Sequence, residues 1–66
     1  MAYTIESRYP EWARWRPVIA RPHDERFPFD PTTRRLRFER HECAALALKA
    51  ISQSNAGEYR IVQAIP

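Results

Sequence analysis

Arg34, Arg35, Arg37 and Arg40 cluster within residues 34–40, and Glu39 is the only acid among residues 31–40. Arginine grips carboxylates and phosphates through a planar fork of donors, and it stacks on aromatic rings and bases. This run is therefore the sharpest candidate for a binding surface. It also holds the whole charge excess. Residues 1–30 balance five arginines against five acids, and residues 41–66 balance Lys49 and Arg60 against Glu42 and Glu58. The formal net charge of +3 thus arises in residues 31–40. Arg8, Arg14, Arg16 and Arg60, interleaved with Tyr and Trp, are placed to extend the basic field. Phe27 and Phe29 precede it and are expected chiefly to anchor their loop, with a contact role for a partner as the second reading.

Catalytic chemistry is poorly provided for. Catalysis needs a reacting pair or a prepared charged site. His41 and Cys43 are two positions apart, so a helix would turn them to different sides. Cys43 falls on an apolar stripe and reads as a structural, protonated small hydrophobe. His41 reads as an exposed residue at a helix start. His23, Asp24 and Glu25 form a polar cluster, but one cysteine and two distant histidines do not make a structural zinc site. A single glycine excludes a glycine-rich phosphate loop. The expectation is a non-enzymatic chain with no cofactor and no metal.

The elements that must position these residues follow from periodicity. Thr4–Tyr9 alternates, with Tyr3, Ile5, Ser7 and Tyr9 on one side and Thr4, Glu6 and Arg8 on the other, as in a strand with one solvated face. Arg14–Ala20 is a second strand, and Pro17 suits an edge or a bulge because it lacks a ladder donor. Pro22, Pro28 and Pro31 break any helix across an irregular arm at about residues 21–35. Asp30-Pro31 carries a helix-start signal. A turn followed by a short extended segment, Leu36–Phe38, is preferred over a helix there, because Thr32, Thr33 and the arginines weaken the helical alternative.

The clearest element is a helix over about residues 40–54. Cys43, Leu46, Ala47, Ala50 and Ile51 recur at helical spacing, and Ala44 and Leu48 widen the stripe. Gly57 follows as a left-handed cap or tight turn. Glu58–Ile65 is the last strand. The order β-β-(β)-α-β predicts an α+β fold: a small antiparallel sheet covered on one face by one helix, in one compact domain of 66 residues.

No segment is long and apolar enough to span a bilayer. One unpaired cysteine suits a reducing compartment, and the N-terminus lacks the pattern of a signal peptide. Cytoplasm, of a producing or an infected host cell, is the expected location. Two binding functions are compatible with the arginine run. A protein partner is favoured, since Arg, Trp and Tyr dominate interface energies. Nucleic acid is the alternative, tempered by the modest charge and by the acids Glu6, Glu11, Glu39 and Glu58. So small a domain also leaves room for a homodimer through an aromatic surface or an edge strand.

The strand Tyr3–Arg8, the tryptophan-bearing second strand, the helix with Cys43-Ala44-Ala45 and Ala50-Ile51, and the ending Glu58-Tyr59-Arg60-Ile61-Val62 together resemble small uncharacterised single-domain proteins of bacteriophages and their bacterial hosts. The likeness is one of layout and covers most of the chain outside the proline arm. It implies no activity and transfers no catalytic residue. It implies a role as an inhibitor or regulator that binds and occludes a host protein.

Overall fold

The structure, a computed structural model, describes residues 1–64. Its elements are β1 (Ala2–Arg8), β2 (Arg16–Pro17), α1 (His41–Ser54) and β3 (Glu58–Ala64). The sheet is antiparallel with order β2-β1-β3, and α1 packs against β1 and β3. This is the α+β architecture expected from the sequence.

β1 forms because its alternation suits a half-covered sheet. Ile5 is wholly buried and Ser7 nearly so, and Tyr3 packs on the core from the same side. Against it, β3 runs in unbroken register, with Ile5 opposite Ile61 and Glu6 opposite Arg60. On the outer face Arg60 donates to Glu6 Oε1 at 2.6 and 2.9 Å, and Arg8 donates to Glu58 at 3.0 Å. Tyr59 and Ile61 turn inward to the core, as expected. Ile65, the expected end of this strand, lies outside the described residues.

The second strand is shorter than the expected Arg14–Ala20. Regular pairing is confined to Arg16–Pro17, and beyond Val18 the chain leaves β1 for the arm; Pro17 sits opposite Glu6, whose main chain bonds β3, so its missing N–H is not one that β1 needs. Val18 donates to Ile5 O at 2.9 Å, Ala20 donates to Arg34 O at 2.7 Å, and Leu36 donates to Val18 O at 3.1 Å. Tyr3 and Phe38 exchange N–H···O bonds of 2.8 Å each. The extended segment expected over Leu36–Phe38 is therefore present as isolated bridges rather than as a regular strand. Leu36 and Phe38 both point into the core.

The turn before it is built by Asp30, and no helix starts there. Its side chain accepts the Thr32 N–H at 2.8 Å, and its carbonyl accepts the Arg34 N–H at 2.7 Å. Arg34 closes the turn at φ 64°, the left-handed region that a side-chain-bearing residue enters only at a cost.

The helix presents a narrower buried face than expected. Ala44, Ala47 and Ile51 are buried and Leu48 packs beside them. Cys43 is exposed, and so is Leu46, at 71%. Small alanines let the helix axis lie close to the sheet. The contact sector then centres on Ala44, Ala47 and Ile51, leaving Cys43 to the side and Leu46 nearly opposite. Cys43 is thus not the core residue that the apolar stripe implied.

Asn55 caps α1 in extended conformation, so the left-handed residue is not the cap itself but the turn into β3. Gly57 has φ +114° there, and a Cβ on it would meet the Tyr9 ring at 2.6 Å and the Arg8 carbonyl at 3.3 Å. Both the angle and the space demand glycine.

Candidate functional site

The arm carrying the arginine run rises beside the outer face of the sheet. Between them lies an open groove of about 360 Å³. Thr4 and Glu6 of β1, Val62 and Ala64 of β3, and Asp30, Arg35 and Arg37 of the arm line it. The placement follows from period-two alternation. Leu36 and Phe38 are drawn into the core, so Arg35 and Arg37 must face outward together.

The two arginines have no acidic side chain within ion-pair distance among the described residues. Of the groove's two carboxylates one is ion-paired, and the other accepts a main-chain bond with no cation beside it among the described residues. Glu6 holds Arg60, and Asp30 holds the Thr32 N–H. Thr4 Oγ1 is buried beside the groove and makes no hydrogen bond among the described residues. A buried hydroxyl without a partner costs free energy, so a ligand group that reached it would gain what the free protein forgoes.

The other arginines of the expected surface are used differently. Arg34 turns inward, donates to Ala20 O at 3.0 Å, lies over the Phe29 ring at 4.5 Å and approaches Glu25 at 3.7 Å. It is a staple of the arm and does not join Arg35 and Arg37. Arg40 meets Glu42 at 3.4 Å on the helix start. Phe27 and Phe29 are half-buried against the core, with Phe27 edge-on to Phe38 at 6.3 Å, which matches the anchoring role.

The proposed extension of the basic surface divides as well. Arg8 and Arg60 both lie over the Trp15 ring, at 4.9 and 4.3 Å. Each also holds an acid, so this cluster is close to charge-neutral. Arg16 stacks on Trp12 at 4.6 Å, and Arg14 is exposed with no ion pair among the described residues. No local pattern marks Trp15 as the centre of the outer-face cluster, or Thr4, Val62 and Ala64 as groove lining. Period-two alternation does place all three at outward positions of β1 and β3.

Cys43 lies at a separate shallow depression with Pro28, Phe29, Phe38 and Arg37. His41 stacks edge-on against Tyr3 at 5.4 Å, and His23 is exposed. Among the described residues no group of three or more His, Cys, Asp or Glu side chains is placed to hold a metal ion. No helix among them is long and apolar enough to cross a membrane. No family model, no curated protein and no solved structure matches the chain.

Proposed function

We propose that the chain is a non-enzymatic protein-binding module whose Arg35–Arg37 groove takes an acidic, extended segment of a partner protein and so occludes it. One observation carries this reading. Arg35 and Arg37 line one groove with Val62 and Ala64, and among the described residues no acid is paired to them, whereas Arg8, Arg34, Arg40 and Arg60 already hold acids of the same chain. Alternating carboxylates would meet the two guanidiniums, and small apolar residues between them would meet Val62 and Ala64. Two forked donors in a groove that also carries Val62 and Ala64 favour a peptide over a bare phosphate backbone.

The test is fluorescence anisotropy with a labelled peptide alternating Glu and Val, set beside a single-stranded oligonucleotide of equal charge. The peptide should bind, more weakly as salt rises. Arg35→Glu with Arg37→Glu should lower its affinity at least about tenfold while circular dichroism is unchanged. Arg14→Glu, at an exposed position away from the groove, should leave it unaltered. Equal binding by the double variant removes the groove from the account. Preferential oligonucleotide binding, with a steep linear log–log salt dependence, replaces the peptide with nucleic acid.

A further inference from the structure

The directions of the main-chain bonds in β1 fix those of β3. Tyr3 gives its N–H and C=O to Phe38, and the Ile5 carbonyl accepts from Val18. The odd residues of β1 therefore point away from β3, and its even residues point toward it. In the observed register those even residues, Ala2 to Arg8, lie opposite Ala64 to Glu58. The even residues of β3 are consequently used by β1, and Tyr59, Ile61 and Gln63 turn their N–H and C=O groups to the far edge. Among the described residues no strand pairs with that edge, and no main-chain bond outside the β1 ladder reaches those three residues.

Natural edge strands are usually guarded by proline, lysine, a bulge or shortness. Glu58–Ala64 has none of these. It is seven residues long, contains no Pro or Lys, and pairs with β1 without interruption. Its two charged side chains are neutralised within the sheet, Glu58 by Arg8 and Arg60 by Glu6.

We infer that β3 pairs antiparallel with the β3 of a second copy of this chain, centred on Ile61. The register is chosen by hydrogen bonding and charge together. Outward residues must oppose outward residues, which leaves few alignments. Centring on Ile61 sets Ile61 against Ile61, Tyr59 against Gln63, and Arg60 against Val62, and it uses every outward group of the three residues. Centring on Arg60 would set two arginines directly opposite one another, a destabilising arrangement. Centring on Val62 would leave Tyr59 without an opposing residue in the described strand. Two copies joined about Ile61 share a two-fold axis perpendicular to the sheet. Both helices then lie on one face and both Arg35–Arg37 grooves on the other, so the dimer is bivalent. The pairing does not depend on what the grooves bind.

Sedimentation equilibrium of the whole chain, from micromolar to millimolar concentration, should show a reversible monomer–dimer equilibrium. A monomer at every concentration overturns the inference. Gln63→Pro removes an outward donor without touching the β1 ladder, and Gln63 is exposed. It deletes two donors per dimer and should weaken association by roughly a hundredfold with circular dichroism retained. A folded Gln63→Pro chain that dimerises as before also overturns it. Should that variant unfold, amide exchange on the native chain decides. The amides of Tyr59, Ile61 and Gln63 should gain protection as concentration rises, while those of Arg60 and Val62 stay protected throughout. A dimer that leaves the odd amides exchanging freely forms elsewhere.

Discussion

β1 and β3 lie side by side for seven residues in continuous antiparallel register, whereas residues 18–38 reach the same core through isolated bridges. In the first region the main chain repeats one bond pattern, and side chains need only alternate. In the second, few main-chain bonds repeat, and individual side chains hold the path. The Arg34 guanidinium clamps Ala20 and Phe29, Phe27 leans on Phe38, and Asp30 ties its own turn. Pro22, Pro28 and Pro31 reduce the freedom the unfolded arm must surrender. The contrast explains why the arm can place two arginines over a groove. An irregular segment tolerates outward charges that a paired central strand would have to neutralise.

The two regions meet at Phe38, so its removal is the largest expected loss. Phe38→Ala deletes a buried ring where the arm bonds Tyr3 of β1. Its cost should be about 3–5 kcal/mol, a large share of the stability of a small domain. Denaturation followed by tryptophan fluorescence and by far-ultraviolet circular dichroism should give one shared, lowered midpoint. Separate midpoints would mean that the arm melts as its own unit and that the comparison is one of independent parts.

Gly57→Ala strikes the turn into β3 and the residues just past β1, away from the arm. The new methyl would clash with a Tyr9 ring already held edge-on to Trp12 at 4.6 Å, at a backbone angle that side chains avoid. The expected loss is roughly 2–3 kcal/mol from strain and overpacking. Urea titration reads it directly. A neutral result would show that the turn into β3 relaxes and that the regular half is less rigid than its register implies.

The regular half was also the legible half. Alternation in Tyr3–Arg8 and in Glu58–Val62 announces strands whatever surrounds them, and Gly57 follows the helix where a tight turn is needed. The arm was legible in part. Proline placement marked it as irregular, and the pattern of Leu36 and Phe38 pointed Arg35 and Arg37 outward. Two features depend on distant contacts that no local pattern contains. Arg34 is chemically the same as its neighbours in the run, and only the turn at Asp30 sends it inward. Cys43 and Leu46 obey helical spacing as well as Ala47 does, but the close approach permitted by Ala44 and Ala47 selects a narrower face.

Arg34 offers a finer test within the arm. Arg34→Ala removes the clamp on Ala20 and Phe29 while retaining the left-handed backbone, and should cost about 1–2 kcal/mol. Arg34→Gly loses the same contacts but relieves the angle, and should be the more stable of the two by roughly 1 kcal/mol. The loss should show as faster amide exchange at Ala20, with Ile5 and Ile61 unaffected. Equal stability of the two variants would mean that φ 64° carries no cost here and that the guanidinium alone shapes the turn.

The smallest effect lies at the end of the regular region, where the Tyr59 hydroxyl of β3 meets that of Tyr9, just past β1, at 3.4 Å. Burial, followed by the hydrogen bond and charge interaction with Tyr9, pushes the Tyr59 pKa from 10.0 up to about 12, although Arg21 pulls it down. A raised pKa means that the folded protein holds this proton more tightly than the unfolded chain does. The associated stability is therefore complete below pH 10 and drains away as pH rises through about 12. Thermal midpoints across that window should fall in the native chain, and the part of the fall due to this group should vanish in Tyr59→Phe. Tyr9→Phe should remove only the share that depends on the hydroxyl pair, since burial acts first. If Tyr59→Phe declines as steeply as the native chain, the Tyr59 proton is not linked to folding, and the contact with Tyr9 adds nothing to the hold of the regular region.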